Sequence, residues 1–560
     1  MLDILEPLLY FLVFCIVAGG LLGLVSLFST LKKRKLPSSE KSTAGANTLS
    51  LNLPSALPTF SFSYSEELIL FLLVLISFFI PMIWGTQYFA IVDFSVVVHG
   101  AQRIYHGQIP QCDFIVPTGP LVLYMQAFFY CLFGETLYAF LFHVSCLNVV
   151  GTLLVFFLVR QKGSLEFAIS TALTASIWFY GIHPFPWFDT TAYILVVLTW
   201  LLWEKTLFPY QVTPQIKPAI LVGICSAFAF LGKMNIGGVA FLLLCGLVIQ
   251  RFWPKPWKPL FGLLLGAGSI IGAYVLFLWS MNSSMILDNL VFRPLQMDRF
   301  SNFLFREQWA PFFMEFPEVL FLGLFLLIIS MGLEKRHTVP WKHTLDLLAL
   351  FTIALFGKMT SRALRTIPFG LLGVIFGLWG SRFFKHRRKL DQSILCYVLF
   401  LFSGYGIYLA IQPRFYYDPK SVYAFTSPAL KPYHIDENTG TMIDEVVQTL
   451  QPLLAPDDSV LCLPNGGLIN LALGHVSPFL FLWYDPGMTY FEELGDENRL
   501  LYSVYSNPPT WIVLTLTGQF VLLEDFRMMA MGIRDLKPHL DIHYQEVIKT
   551  SKYVILKHKS

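Results

Sequence analysis

The sequence predicts a polytopic α-helical membrane protein of about twelve spans, followed by a C-terminal α/β domain on the extracytoplasmic side. Three observations predict it. Of 560 residues, 55% are hydrophobic and only 13% charged, where an average soluble domain carries roughly 25% charged residues. Apolar runs of spanning length follow one another to residue 411, and Lys and Arg fall in alternate loops. The 39 Lys and Arg nearly balance the 36 Asp and Glu, so no electrostatic case exists for a nucleic-acid partner. The eight cysteines lie mostly inside apolar runs and form no Cys-x-x-Cys pair, which argues against a zinc site and against a disulfide framework.

Residues 4–28 form an apolar run that ends at Lys32, Lys33, Arg34 and Lys35 without a small-residue peptidase site, and read as a retained helix within a segment 1–35. The Pro- and Ser-rich stretch that follows makes 36–66 a cytoplasmic linker. A membrane domain over 67–411 then begins with a span at 68–84. Further spans are expected near 136–159, 166–182, 190–207, 218–232, 236–250, 259–281, 317–333, 344–357, 366–381 and 392–411. With these spans, the loops placed inside hold 20 basic residues and the outer loops before residue 412 hold 8, the asymmetry expected when the spans are placed correctly. The amino terminus and everything after Gln412 then lie outside. Gly119 to Phe133 is apolar but short; counted as a span it would reverse every later loop, so it reads as a re-entrant or interfacial helix.

From 412 to 560 charges recur every few residues and no long apolar run remains, the mark of a soluble extracytoplasmic domain. Thr441 to Leu454 has helical spacing. Ser459 to Leu463 reads as a strand entering the Pro464-Asn465-Gly466-Gly467 turn, and Thr510 to Thr515 and Tyr553 to Lys557 as further strands. The segment has no nucleophile elbow, P-loop or metal motif, and reads as a cap that shapes an acceptor groove or docks a partner.

The most informative stretch is the first large outer loop, Gly85 to Thr118. Asp93 stands just beyond a span, a short amphipathic helix carries Arg103, and a Gly-x-x-Pro turn leads to Asp113. Two carboxylates at the outer surface can face a lipid-borne substrate; alternatively each caps the helix that follows it. In His183-Pro-Phe-Pro-Trp187-Phe-Asp189, the Trp can stack on a sugar face and the acid bind hydroxyls, or the two form an aromatic interface belt with a helix-capping acid. Lys233 in GKMNIG, and Lys358, Arg362 and Arg365 in GKMTSRALR, sit at outer ends of spans. Ionisable groups beside hydrocarbon point to function, although Lys and Arg also snorkel to headgroups. The loop from Asn282 to Phe316 reads as an interfacial helix, gating or passive. Gly262-Leu-Leu-Leu-Gly266 reads as a helix-packing motif.

Asp93, the stretch AQRIYHGQIPQCDFIVPTGPL and LFGE together resemble the first outer loop of GT-C glycosyltransferases such as aminoarabinose transferases and protein O-mannosyltransferases. The resemblance is specific in this loop and loose in the spans and C-terminal domain. It implies a GT-C-like membrane domain and a sugar donor on polyprenyl phosphate, with an acid of this loop serving the acceptor. Asp93 matches the first acid and Asp113 the second; Phe94 stands where aminoarabinose transferases commonly have Glu. The implied reaction needs a carboxylate to take the acceptor's proton, the role expected of Asp93. Asp113 would position the acceptor or, with Asp93, ligate a divalent Mg or Mn ion. Fixed cations would stabilise the departing phosphate, the role expected of Lys233, Lys358, Arg362 and Arg365. Arg103 would join them or salt-bridge an acid.

The expected function is transfer of a sugar, with inversion, to a glycan, lipid or protein acceptor on the outer face of a bacterial-type inner membrane. The competing readings are a transporter or flippase of lipid-linked sugars and a noncatalytic envelope-assembly subunit. A transporter should carry ionisable groups near the midplane, whereas these spans are mostly Leu, Phe, Ile and Val.

Overall fold

The computed structural model describes residues 64–86, 91–116, 118–161, 163–181, 184–207, 216–281, 368–383, 422–463, 466–478, 504–516 and 536–559, with scattered positions between 349 and 407. The expected span at 4–28, the linker up to residue 63, the loop at 282–316 and the span at 317–333 lie outside the described residues, as do most of the spans at 344–357 and 392–411; the last three linker residues belong to the helix that begins at Tyr64. The chain forms two compact units, Met1–Leu72 and Leu73–Ser560. In the first, the described residues are the opening turns of α1 (Tyr64–Gly85).

The second unit continues α1 and adds α2 (Ile91–Tyr105), α3 (Leu121–Phe133), α4 (Leu137–Arg160) and α5 (Leu165–Ser176). These are followed by α6 (Phe188–Leu202), α7 (Ile216–Gly232), α8 (Met234–Phe252), α9 (Trp257–Ser280) and α10 (Pro368–Phe383). Helices α5 and α6 run on into π turns at Ile177–Gly181 and Trp203–Leu207, which extends them to the lengths read from the sequence. Four described helices are long and apolar enough to cross a membrane: Glu66–Gly85, Leu137–Arg160, Met234–Phe252 and Trp257–Ser280. Helix α3, at 13 residues, rises about 20 Å, short of the roughly 30 Å that a span needs.

Helix starts follow local chemistry. Thr136 and Ser164 accept hydrogen bonds from the backbone N–H groups of Ala139 and Phe167, capping α4 and α5. Inside the bundle, Asn148 Nδ2 on α4 donates to the Ser77 carbonyl on α1 (2.8 Å) and to Ser176 Oγ on α5 (3.2 Å), so three helices share one buried polar tie. Helix α9 packs on α7 through the Gly-x-x-x-Gly pair. A Cβ at Gly262 would lie 2.7 Å from the Ile216 carbonyl oxygen, and one at Gly266 would overlap that of Ile220. The motif packs helices, as its spacing predicts. The other side of α9 is open, with Trp257 and Trp279 exposed at its two ends.

After α10 come β1 (Val422–Ala424) and β2 (His434–Asp436), paired antiparallel. Helix α11 (Glu437–Leu450) is capped by Asp436, whose Oδ1 accepts from the Thr439 N–H. Next are β3 (Val460–Leu463), α12 (Gly467–Leu473), β4 (Trp511–Thr515), β5 (Tyr544–Lys549) and β6 (Tyr553–His558). The sheet order is β3-β4-β6-β5, with β3 and β4 parallel and the other pairs antiparallel. Helix α11 starts and ends about four residues earlier than its spacing predicts, and β5 has no sequence signal because only its first residue is buried. The core on this sheet gathers Leu461, Leu463, Ile512, Leu514, Val554 and Leu556, and it also takes in Ile115 from the loop between α2 and α3.

Candidate active site

The site is built where α2 and the described residues up to Pro120 meet the ends of α4, α6 and α7. Asp93 is the third residue of α2. Its neighbour Phe94 is fully buried, with its ring 4.8 Å from Phe185, 5.2 Å from Phe140 and 5.8 Å from Tyr433. Phe185 in turn meets Trp187 edge-on at 5.4 Å. The start of α2 is therefore joined to the turn that carries Trp187 and Asp189.

Arg103 is placed within the loop that carries Asp113. It is buried; its Nε donates to Gln108 Oε1 (2.5 Å), one NH2 reaches the Asp113 carbonyl (3.3 Å), and its guanidinium lies 4.3 Å from the Phe114 ring centroid. Burial lowers its pKa to about 9 while the Asp113 carboxylate opposes the shift. A rigid fork that stacks on an aromatic face and meets two oxygens organises a loop. Asp113 serves the same turn: it is exposed, and its Oδ2 accepts from the Ile109 N–H at 2.6 Å. Gln111 completes it in the left-handed region, with φ of 68°, held by Nε2 donating to the Val116 carbonyl at 2.6 Å. A non-glycine residue keeps that conformation only where its surroundings over-determine it. Glu135 of LFGE ties back to His106 at 3.0 Å.

The second cluster centres on Asp189 and Lys233. Asp189 sits in the first turn of α6 and is fully buried, and Lys233 Nζ lies 2.5 Å from its Oδ1. Lys233 occupies the N-cap position of α8 in extended backbone, at the junction with α7. Asp189 Oδ2 and Thr118 Oγ1 are buried with no hydrogen-bond partner among the described residues. Thr118 is brought to this place by Gly119, where a Cβ would overlap the Leu231 carbonyl, two residues before Lys233. The absence of a side chain there lets the loop lie on the α7 backbone. Trp187 is the partly exposed N-cap residue of α6.

The structure thus brings the start of α2, through Phe94, to the turn that carries Trp187 and Asp189, and pairs Asp189 with Lys233. Lys358, Arg362 and Arg365 lie outside the described residues, and nothing is described of the Asp93 side chain. The ion pair itself escaped sequence reading, because its partners lie 44 positions apart; each was signalled singly, Asp189 as an acid beside Trp187 and Lys233 as a cation beside hydrocarbon. No group of three or more His, Cys, Asp or Glu among the described residues is placed to hold a metal ion.

Neither a protein-family model nor a curated protein matches the sequence. Among solved structures, ArnT from Cupriavidus metallidurans bound to undecaprenyl phosphate is similar, with a TM-score of 0.50 and 11% identity over 88% of this chain and 98% of that one. The chain has the GT-C fold. Apo ArnT gives a TM-score of 0.49 at 12% identity, over 88% of this chain and 97% of that one. The Archaeoglobus fulgidus oligosaccharyltransferase with Zn and sulfate gives 0.42 at 12%, over 87% and 72%. With its apolar helices, the GT-C fold makes this an integral membrane protein.

Proposed function

We propose that this chain is an integral-membrane glycosyltransferase that moves a sugar from a polyprenyl-phosphate donor to a cell-envelope acceptor. The carrying observation is the fold shared with ArnT, whose crystal structure holds undecaprenyl phosphate. The twelve-span topology, with the C-terminal segment and the catalytic rim on the outer face of a bacterial inner membrane, belongs to the same reading.

Asp93 acts as the base. As the acceptor oxygen attacks the anomeric carbon its proton passes to the Asp93 carboxylate, the bond from that carbon to the phosphate oxygen breaks, and polyprenyl phosphate leaves with the electron pair. A single displacement of this kind inverts the anomeric centre. Lys358, Arg362 and Arg365 receive the negative charge as it grows, where fixed cations act most strongly in the transition state. Lys233 adds the ammonium N–H groups not directed at Asp189. The unpartnered Asp189 Oδ2 and Thr118 Oγ1 suit a ligand rich in hydroxyls, with Trp187 against its apolar face. Asp113, committed to its own turn, shapes the loop.

The test is mass spectrometry of envelope glycans and lipids from cells carrying the parent chain or Asp93→Asn. Removal of the base is expected to reduce product by about 10²–10⁴-fold, with the protein still inserted and folded. In cells lacking the protein, unchanged glycans together with a lipid-linked sugar accumulating on the inner leaflet would instead favour a flippase.

A further inference from the structure

The helix that carries Asp93 is held by the C-terminal part of the chain as well as by the bundle. Ser95, His99 and Gln102 recur at i, i+4 and i+7 along α2 and are all buried. Helix α12 covers that face. Gln102 Nε2 donates to the Asn470 carbonyl at 3.1 Å, and the Ser477 N–H donates to His99 Nε2 at 3.4 Å. A Cβ at Gly467 would lie 2.9 Å from both the Ser95 carbonyl oxygen and His99 Cβ. Asn470 is itself fixed, its Nδ2 donating to the carbonyls of Val460 (2.8 Å) and His475 (3.0 Å). Either side of α2 the connection continues. Ile115 enters the core of the sheet, and the His434 N–H donates to the Thr86 carbonyl at 3.0 Å.

A helix resting on a membrane surface would turn such a polar face to water, because burying polar groups costs stability unless they are bonded. Here the face meets a complementary surface. At about 100° per residue, position 93 lies roughly half a turn from the Ser95–His99–Gln102 stripe. Whatever fixes the stripe therefore fixes the rotation of α2 and the direction in which position 93 is presented.

We propose that α12 is a seat that sets the rotation and pitch of α2, making Gln102 a positioning residue for Asp93; this rests on the reading of Asp93 as the base. Transfer is measured in membranes holding the full-length chain, as the glycan product whose loss marks Asp93→Asn. Gln102→Met is expected to keep the parent's melting temperature and to lower transfer by up to about a hundredfold, the scale of a 1 Å misplacement. Because Gln102 acts through Asp93, the same substitution made in Asp93→Asn leaves the residual transfer unchanged, whereas a role in folding alone lowers transfer in both backgrounds. Should Gln102→Met fail to insert, Gly467→Ala serves instead, since its added methyl presses on Ser95 and His99. In either displaced variant Ser95→Cys, buried and unreactive in the parent seat, becomes open to maleimide. Full transfer by the displaced variants while Asp93→Asn is inactive overturns the seat and leaves the base standing. Full transfer by Asp93→Asn removes both.

Discussion

Asp189 and Lys233 form a buried ion pair at the junction of α6, α7 and α8, and what each contributes depends on the other. Removing one partner of such a pair leaves an uncompensated charge, at a cost of about 3–5 kcal/mol. Lys233→Met is therefore expected to lower the thermal midpoint of the detergent-solubilised protein, and adding Asp189→Asn to recover part of the loss; equal melting of single and double variants would show the pair to be uncoupled. Either residue stood out singly in the sequence, as an acid beside Trp187 and a cation beside hydrocarbon, but nothing in a linear pattern pairs them. Arg103 shows the converse. Its charge near two acids reads as a phosphate or carboxylate ligand, and only the positions of Gln108 and Phe114 reveal that it also braces a turn.

At the scale of elements, periodicity carried most of the helices, because apolar faces repeat wherever a helix is buried or meets lipid. Gly262 and Gly266 were legible for the same reason. Gly266→Val is expected to force α9 from the Ile220 carbonyl at a cost of at least about 1–3 kcal/mol, visible as loss of the monodisperse peak in fluorescence-detected gel filtration. The edge strand β5 was not legible, nor was the buried polar face of α2, since Ser, His and Gln on an interfacial helix read as water-facing. Residues 536–543 are helical and carry the buried His539. Its ring lies 4.0 Å from Tyr505 and 4.4 Å from His543, with Tyr544 and His558 beyond. Burial first, then the His543 and His558 charges, lower its pKa below 6.5. The folded state therefore holds it neutral and the unfolded state binds the proton first. The stability this contributes is complete above about pH 6.5 and is lost as pH falls through the lowered value. Amide exchange over 536–558, corrected for intrinsic rates, is expected to speed between pH 7 and 5, and His539→Phe to flatten that response.

The whole molecule joins two kinds of structure that composition keeps apart. The break near residue 412 is plain in the sequence, yet the core of the C-terminal sheet accepts Ile115, a contact that no change of composition announces. The charge asymmetry of the loops makes a prediction at this scale. An impermeant maleimide is expected to label Gln545→Cys on intact cells and Lys258→Cys only after permeabilisation, both positions being exposed; the reverse order would invert the topology and remove the outer rim. Helix α9 adds a constraint of its own. Trp257 and Trp279, exposed at its two ends, stand about 33 Å apart along the axis at 1.5 Å per residue. Indole rings favour the headgroup level of each leaflet, so the pair acts as two moorings that hold the chain at a fixed depth. A bilayer of shorter acyl chains must then stretch, or the helix tilt, before the reactive end of the bundle can meet a headgroup at its proper height.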